Sequence, residues 1–341
     1  MLSSMYESLL ISIIFVSWAY TLRTLYVMNW ERPSDARNLA EHCSKYVLNR
    51  GEFSNEETLT SGNAHVVSRG EYRGRTVILK RWHGATVPHE SRVLFAKRLV
   101  RDLDQWRALD HPNIGPILGV ALHISNLPAL VVPYYRTVSA VLAGNPETDV
   151  LNLMRGVAAG LSYLHAQKPP ITHGDLKGST VFVSPAGTAL LSDIGISAIP
   201  QPPDWGFHGV DDARWQAPEI MDPKLRPGVD GGEETFERTP DGGFPATRES
   251  DVYSFGMLAY EMHARAWPFA SAVWAGSVVI RVVTGARPPR PPLAQSPQLT
   301  DALWELIQLC WAQDWRRRPH IDLVVASLGV ISRVRALEGA C

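Results

Sequence analysis

Apolar and polar positions change their period twice along this chain. The first thirty residues hold one uncharged, mostly apolar run, Ser8 to Leu22 (SLLISIIFVSWAYTL), which Arg23 interrupts before TLYVMNW extends it to Trp30. Residues 31–55 read as an amphipathic helix and a polar connection, with Pro33 and Ser34 as a start signal and Gly51 as a stop. From Glu57 the period becomes two: HVVSRG and RTVILKRW are β-branched runs separated by a Gly-containing turn, the pattern of a hairpin. A helical stretch from Glu90 to Leu109 follows, and HPNIGPILGVAL and LPALVVPYY then supply further strands. After Pro146 the period lengthens, and Val150, Met154, Val157, Leu161 and Leu164 fall on one face of a helix. The run DVYSFGMLAYEM from Asp251 is apolar on nearly every side and reads as a buried helix. This order predicts an α+β chain, with a small β-rich lobe followed by a larger α-helical one. Within the second lobe, Asp222 to Ser250 is rich in Gly, Pro and charge, which marks a long surface insertion.

Composition narrows the picture. A length of 341 residues allows either two compact domains or one two-lobed enzyme. The 33 basic and 34 acidic residues nearly cancel, so no global field draws the chain to nucleic acid, and any charge-based function is local. Cys43, Cys310 and Cys341 are far apart and lack the C-x-x-C spacing of zinc or redox sites, so they read as ordinary reduced thiols. Pro and Gly are frequent but not periodic, which argues against repeats.

The apolar leader supports three readings. As a membrane anchor it is short, since a bilayer core needs about 20 helical residues and Ser8 to Leu22 supplies fifteen, unless Arg23 snorkels and the run continues to Trp30. Arg23, Arg32 and Arg37 would then leave the following chain in the cytosol, a cytoplasmic domain tethered by residues 8–30. The second reading is a buried or interfacial helix. The third, a cleaved signal, fits worst, because MLSSMYES carries Glu7 and no basic residue.

Candidate chemistry appears in the middle of the chain. Phosphoryl transfer from a nucleotide needs a cation on the phosphates, a metal-holding carboxylate and a second carboxylate near the attacking hydroxyl. Lys80 ends the apolar run VILK; ITHGDLKGSTVFV places Asp175 and Lys177 in a loop between a helix and a strand; TALLSDIG ends with Asp193 two residues before Gly195. Each alone has a plainer reading: a strand-end lysine is usually exposed, and Asp favours turns. Their order and spacing together weigh against it.

With VILK, HGDLKGST, DIG, WQAPE, SDVYSFG and CWAQDWRRRP in order, the chain resembles a protein kinase domain over roughly Glu56 to Leu337, closest to the tyrosine-kinase-like Ser/Thr kinases of mushroom-forming fungi. The resemblance implies a β-rich lobe at 56–132, a helical lobe at 136–337 with its insertion at 222–250, and the earlier segments 1–30 and 31–55 outside the domain. It implies ATP and Mg2+ as cofactors and a protein substrate in signalling. Lys80 would hold the α and β phosphates, Asp193 the metal, Asp175 the proton of the substrate hydroxyl, and Lys177 the transferring phosphate, the last a Ser/Thr-type feature. Val132, Pro133, Tyr134 and Tyr135 resemble the hinge that holds adenine, with Val67 and Ile78 above it. Glu219 and Arg318 resemble a buried ion pair that braces the helical lobe.

Several positions depart from that pattern. Where the family has three phosphate-covering glycines stand Thr60, Gly62 and His65, and two of three backbone approaches to phosphate gain a Cβ. Ile78 occupies the usual small roof position. Asp102, a methylene shorter than the family's Glu, stands at the helix position that pairs with Lys80, and Thr180 replaces Asn as second metal ligand. Asp212 replaces the hydroxyl residue near the catalytic aspartate. Gly174 replaces an arginine that grips a phosphorylated activation loop, and Ser197 is the only phosphorylatable side chain from Gly195 to Ala217, so activation-loop phosphorylation is not expected to be the switch. Two functions stay open: a weak Ser/Thr kinase, and a pseudokinase acting as a scaffold or allosteric binding module.

Overall fold

The computed structural model describes residues 41–61, 65–82, 89–124, 127–195, 213–225, 246–272 and 274–338. The apolar run 8–30, residues 31–40, Gly62, Ser197, Asp212, Cys341 and most of the insertion lie outside the described residues. Among the described residues no helix is long and apolar enough to cross a membrane.

The first lobe is a five-stranded antiparallel sheet formed by β1 (Phe53–Ser61), β2 (His65–Tyr72), β3 (Arg75–Trp82), β4 (Gly119–Ala121) and β5 (Ala129–Pro133), in the order β1-β2-β3-β5-β4. The expected hairpin joins β2 to β3 through Arg73 and Gly74, whose φ values of 52° and 70° are both positive, as a two-residue turn requires when it follows the twist of its strands. Alternation along β3 sets the faces. Val77 and Leu79 pack with Tyr72, Ala129 and Val131 on one side, while Ile78 joins Leu130 and Val132 in the larger core on the other. Lys80, two residues after Ile78, therefore faces the helical lobe.

Helix α1 (His89–Arg107) follows the sequence expectation closely, and Phe95, Leu99, Leu103 and Trp106 form its buried stripe. The chain before the hairpin does more than connect. Leu48 N–H donates to the Val120 carbonyl at 2.9 Å and Val120 N–H to the Tyr46 carbonyl at 2.9 Å, which extends the sheet beyond β4. Strand β1 also starts inside the stretch read as a polar connection. Its residues FSNEETLTS are mostly exposed on both faces of an edge strand, so no period-two apolar signal exists to find.

The second lobe contains β6 (Arg136–Thr137), α2 (Val138–Gly144), α3 (Val150–His165), β7 (Val181–Val183), β8 (Ala189–Leu191), α4 (Pro218–Met221), α5 (Arg248–Ala264), α6 (Ala275–Val283), α7 (Asp301–Cys310) and α8 (Ile321–Glu338). The predicted stripe of α3 is buried from Val150 to Leu164, against α5 and α8. Helix α5 is buried nearly throughout, and Thr247 and Ser250 close its first turn with a reciprocal capping box. Arg318 grips Glu219 through two hydrogen bonds, 2.6 and 2.8 Å, with the two side chains 0% and 4% exposed, and also donates to the carbonyls of Glu249 and Ala312. Cys43 and Cys310 are free and buried, and burial pushes their thiols up to about 11 and about 12.

Candidate active site

Three segments meet between the lobes: β3, the loop from α3 to β7, and the residues after β8. The loop is built on Asp251 of α5, a carboxylate only 1% exposed. Asp251 Oδ2 accepts the His173 N–H at 2.7 Å and lies 2.9 Å from His165 Nε2, and Oδ1 accepts the Gly174 N–H at 2.9 Å. Hydrogen bonds to a charged acceptor are each worth about 1.5–3 kcal/mol, so this one side chain fixes the loop's path. Gly174 takes φ 78°, a left-handed conformation that costs glycine nothing. His173 is fully buried beneath the loop, accepts the Asp175 N–H on Nδ1 at 3.3 Å, and is held below the usual imidazole range by its desolvation.

On this support Lys177 Nζ lies 2.8 Å from Asp175 Oδ1. The loop is tied to the strand-end segment by two backbone bonds: Ser192 N–H to the Thr180 carbonyl at 3.1 Å, and Gly195 N–H to the His173 carbonyl at 2.9 Å. Asp193 lies between these ties with φ 63°, a left-handed conformation that is uncommon outside glycine and that Asp and Asn adopt more readily than other residues. Its carboxylate pairs with Lys80 Nζ, and each side chain is 8% exposed. Lys80 Nζ also lies 5.5 Å from the centre of the Phe182 ring.

The structure thus brings Lys80 to Asp193 and Asp175 to Lys177. It does not bring Lys80 to Asp102. Asp102 is paired with Arg101 at 3.3 Å on its own helix, and burial holds its carboxyl above the usual range against the pull of Arg101. The shorter aspartate gives up the pairing that the sequence suggested, and Asp193 takes the lysine. Thr180 is 3% exposed, and its hydroxyl donates toward the carbonyls of Asp175 (2.7 Å) and Lys177 (3.1 Å) while accepting the Lys177 N–H at 3.1 Å. A hydroxyl so committed serves the loop, and little of it remains for a metal. At the hinge, Val132 is buried opposite Ile78, Pro133 has no N–H, and the Tyr134 N–H donates to the Thr76 carbonyl at 3.1 Å. Tyr135 follows it, and Val67, half-buried, stands opposite Lys80 across the β2–β3 ladder.

Among the described residues no three His, Cys, Asp or Glu side chains converge as a metal cluster. A cation here would have to take most of its oxygens from phosphate and water, and a single carboxylate such as Asp193 beside phosphates is a donor set that would suit Mg2+.

Asp251, the support of this loop, is a residue that the sequence reading does not single out; its signal is a charge at the start of the mostly apolar run DVYSFGMLAYEM, and a buried charge is more informative than an exposed one.

A model of the protein tyrosine and serine/threonine kinase family matches residues 53–328. The serine/threonine/tyrosine-protein kinase HT1 of Arabidopsis thaliana is 24% identical over 319 residues, which cover 92% of this chain and 73% of that protein. Mitogen-activated protein kinase kinase kinase 10 of Mus musculus is 27% identical over 303 residues, 83% of this chain and 28% of the relative. Cyclic GMP-binding protein C of Dictyostelium discoideum is 25% identical over 257 residues, 72% of this chain and 9% of the relative. The chain thus spans most of the plant protein but less than a third of the other two.

Proposed function

Because the chain belongs to the protein tyrosine and serine/threonine kinase family, we propose that it transfers the γ-phosphate of ATP to Ser or Thr hydroxyls of protein substrates. The observation that carries this reading is the paired arrangement of the cleft. Asp175 and Lys177 sit together on a loop tied by backbone bonds to the segment of Asp193, and Asp193 meets Lys80.

In the transfer, the bond from the γ-phosphorus to the β-phosphate oxygen breaks as the bond to the substrate oxygen forms, and ADP leaves. Asp175 receives the hydroxyl proton. Lys177, 2.8 Å from Asp175, neutralises the transferring group, and Lys80 holds the α and β phosphates. Bound Mg2+ would supply charge neutralisation on the triphosphate, with Asp193 as its protein ligand. Hinge residues Val132 to Tyr135 would hold adenine beneath Ile78 and Val67. Asp102 and Thr180 fall outside this set, which leaves fewer charges around the phosphates and favours a slow enzyme. The scaffold alternative loses ground because the groups that do the electrostatic work, Lys80 and Asp193, are both retained.

A phosphotransfer assay on a panel of Ser, Thr and Tyr peptides tests the reading. Label on Ser or Thr that disappears in Asp175→Asn supports it; equal label in wild type and Asp175→Asn opposes it. The leader from Ser8 to Trp30 fits a membrane tether, with the kinase domain on the cytoplasmic side. Deleting Met1 to Trp30 should then move the protein from the membrane to the soluble fraction, and an unchanged distribution rejects the tether.

A further inference from the structure

Away from the cleft, the helical lobe carries a groove of about 950 Å3, comparable in size with pockets that hold ligands. One wall is the 3-10 turn Pro223–Leu225; the other is α7 with the 3-10 turn Trp315–Arg317. Helix α7 buries Leu303, Leu306, Ile307 and Cys310, whereas Leu309 lies off that stripe, 54% exposed, in a groove that Leu225 and Ala312 also line. An exposed leucine alone is ordinary surface. This one shares a concavity with three cations, Lys224, Arg316 and Arg317.

The cations are held in place but not paired off. The Arg316 guanidinium lies 4.8 Å from the centre of the Trp315 ring, which steadies a planar fork of donors on the wall. Asp314 caps this turn by accepting the Arg316 N–H at 3.0 Å, and its carboxylate is 3.7 Å from the Arg316 side chain, long for a charge-assisted hydrogen bond. Asp222 caps the other turn in the same way, through the Lys224 N–H at 2.9 Å. Among the described residues neither Lys224 nor Arg317 has an ion-pair partner, and the other acid of the lining is Glu305, about one turn before Leu309. The walls are also fixed to each other. Glu219 stands in α4 just ahead of the first wall, Arg318 follows Arg317, and their buried pair joins them at 2.6 and 2.8 Å. A groove formed before its partner arrives loses less freedom on binding.

We propose that this groove docks an acidic peptide segment of a partner protein, with carboxylates on Lys224, Arg316 and Arg317 and one apolar side chain on Leu309. Charge and shape together select this class of partner. A nucleic acid presents a phosphate at every step and stacks its bases on aromatic rings, but no aromatic residue lines the groove, and Glu305 and Asp314 would repel an unbroken row of phosphates. A peptide spaces its carboxylates, so it meets the cations and stays clear of Glu305. Guanidinium forks match carboxylates two bonds at a time, which sets orientation and register. Exposed ion pairs add little affinity, and burial of the apolar anchor against Leu309 supplies the rest. The groove holds its partner whether or not the cleft transfers phosphate.

The test is fluorescence anisotropy of the full chain with a short fluorescein-labelled peptide of glutamates around a single leucine. Two control peptides replace the glutamates by lysines, or the leucine by glycine. The first peptide should bind saturably, and each control should bind about tenfold more weakly or worse. Lys224→Glu and Arg317→Glu should each raise the dissociation constant about fivefold or more, and added salt should raise it in the wild type. Leu309→Ser, at an exposed position, should raise it about fivefold. Equal binding of either control peptide would overturn the proposal. So would unchanged binding in Lys224→Glu, a substitution on the wall away from Arg318. A wild type that binds no peptide overturns it as well, and binding that appears only when residues 226–245 are deleted assigns the groove to the chain's own insertion. A single-stranded RNA that displaces the probe at lower concentration than the unlabelled peptide assigns it to nucleic acid instead. None of these readouts depends on phosphotransfer, so the docking proposal and the kinase reading stand or fall separately.

Discussion

Lys80 and Asp193, 113 residues apart, close a buried ion pair between the sheet lobe and the segment that follows β8. Both side chains are buried, so each charge is taken from water and the pair offsets part of that cost. The pairing also separates Lys80 from Asp102, whose partner is Arg101.

The two carboxylates near Lys80 are therefore unequal. Lys80→Ala should weaken ATP binding by tenfold or more, on the scale of about 1.4 kcal/mol per decade. Asp102→Ala should change it by no more than about fivefold, because an ion pair with an exposed arginine contributes about 0–1 kcal/mol. Calorimetric titration with ATP and Mg2+ measures both. Equal losses in the two variants would show that the lysine depends on Asp102 after all.

The Glu219–Arg318 pair predicts a large stability effect without a change at the cleft. Arg318→Met leaves Glu219 buried without its fork of donors and should cost about 3–5 kcal/mol in urea unfolding. Replacing both, with Glu219→Leu added, should recover part of that loss, since the buried charge is removed along with its fork of donors. A single substitution that costs under about 1 kcal/mol would contradict the bracing role.

The helical lobe was the more legible part of the chain. The stripe from Val150 to Leu164 carries a strong 3.6-residue signal, the run from Asp251 is apolar on nearly every side, and both are buried helices. The hairpin was legible because β3 is buried on both faces and Gly74 supplies the turn. Strand β1 was not, because an exposed edge strand needs no apolar alternation, and its partner strand alone decides its existence. In the cleft, identity and order of residues pointed to Lys80, Asp175, Lys177 and Asp193, but pairing is a three-dimensional property. Whether Lys80 meets Asp102 or Asp193 depends on one methylene and on the placing of α1, and the Thr180 hydroxyl is spent on carbonyls that no linear pattern reveals. The acid that supports the loop, Asp251, is legible as a charge inside a buried helix.

His263 makes acid stability testable. It is 2% exposed on α5, its Nδ1 lies 3.0 Å from the Ser296 hydroxyl, and burial, helped by Arg265, holds its imidazole down to about 4 from 6.5. Below about pH 6.5 the unfolded chain takes a proton that the native ring refuses until about pH 4. Stability from this group is thus whole above pH 6.5 and is lost between these values, by about 3 kcal/mol. His263→Gln should flatten this limb of the stability–pH curve. A limb of unchanged slope in the variant would assign the loss to other groups, with His173, also held neutral by burial, the first to examine.

The central claim is that a cleft with one metal-binding carboxylate and an unaltered Lys80, Asp175 and Lys177 still transfers phosphate. The most direct measurement pairs a thermal shift with ATP and Mg2+ to a phosphotransfer assay, on the wild type and on Asp193→Asn. The predicted result is a melting temperature raised by nucleotide and Mg2+ together in the wild type, with label on Ser or Thr that falls about 100-fold or more in Asp193→Asn. No stabilisation by nucleotide, with the same background label in both proteins, would contradict the account.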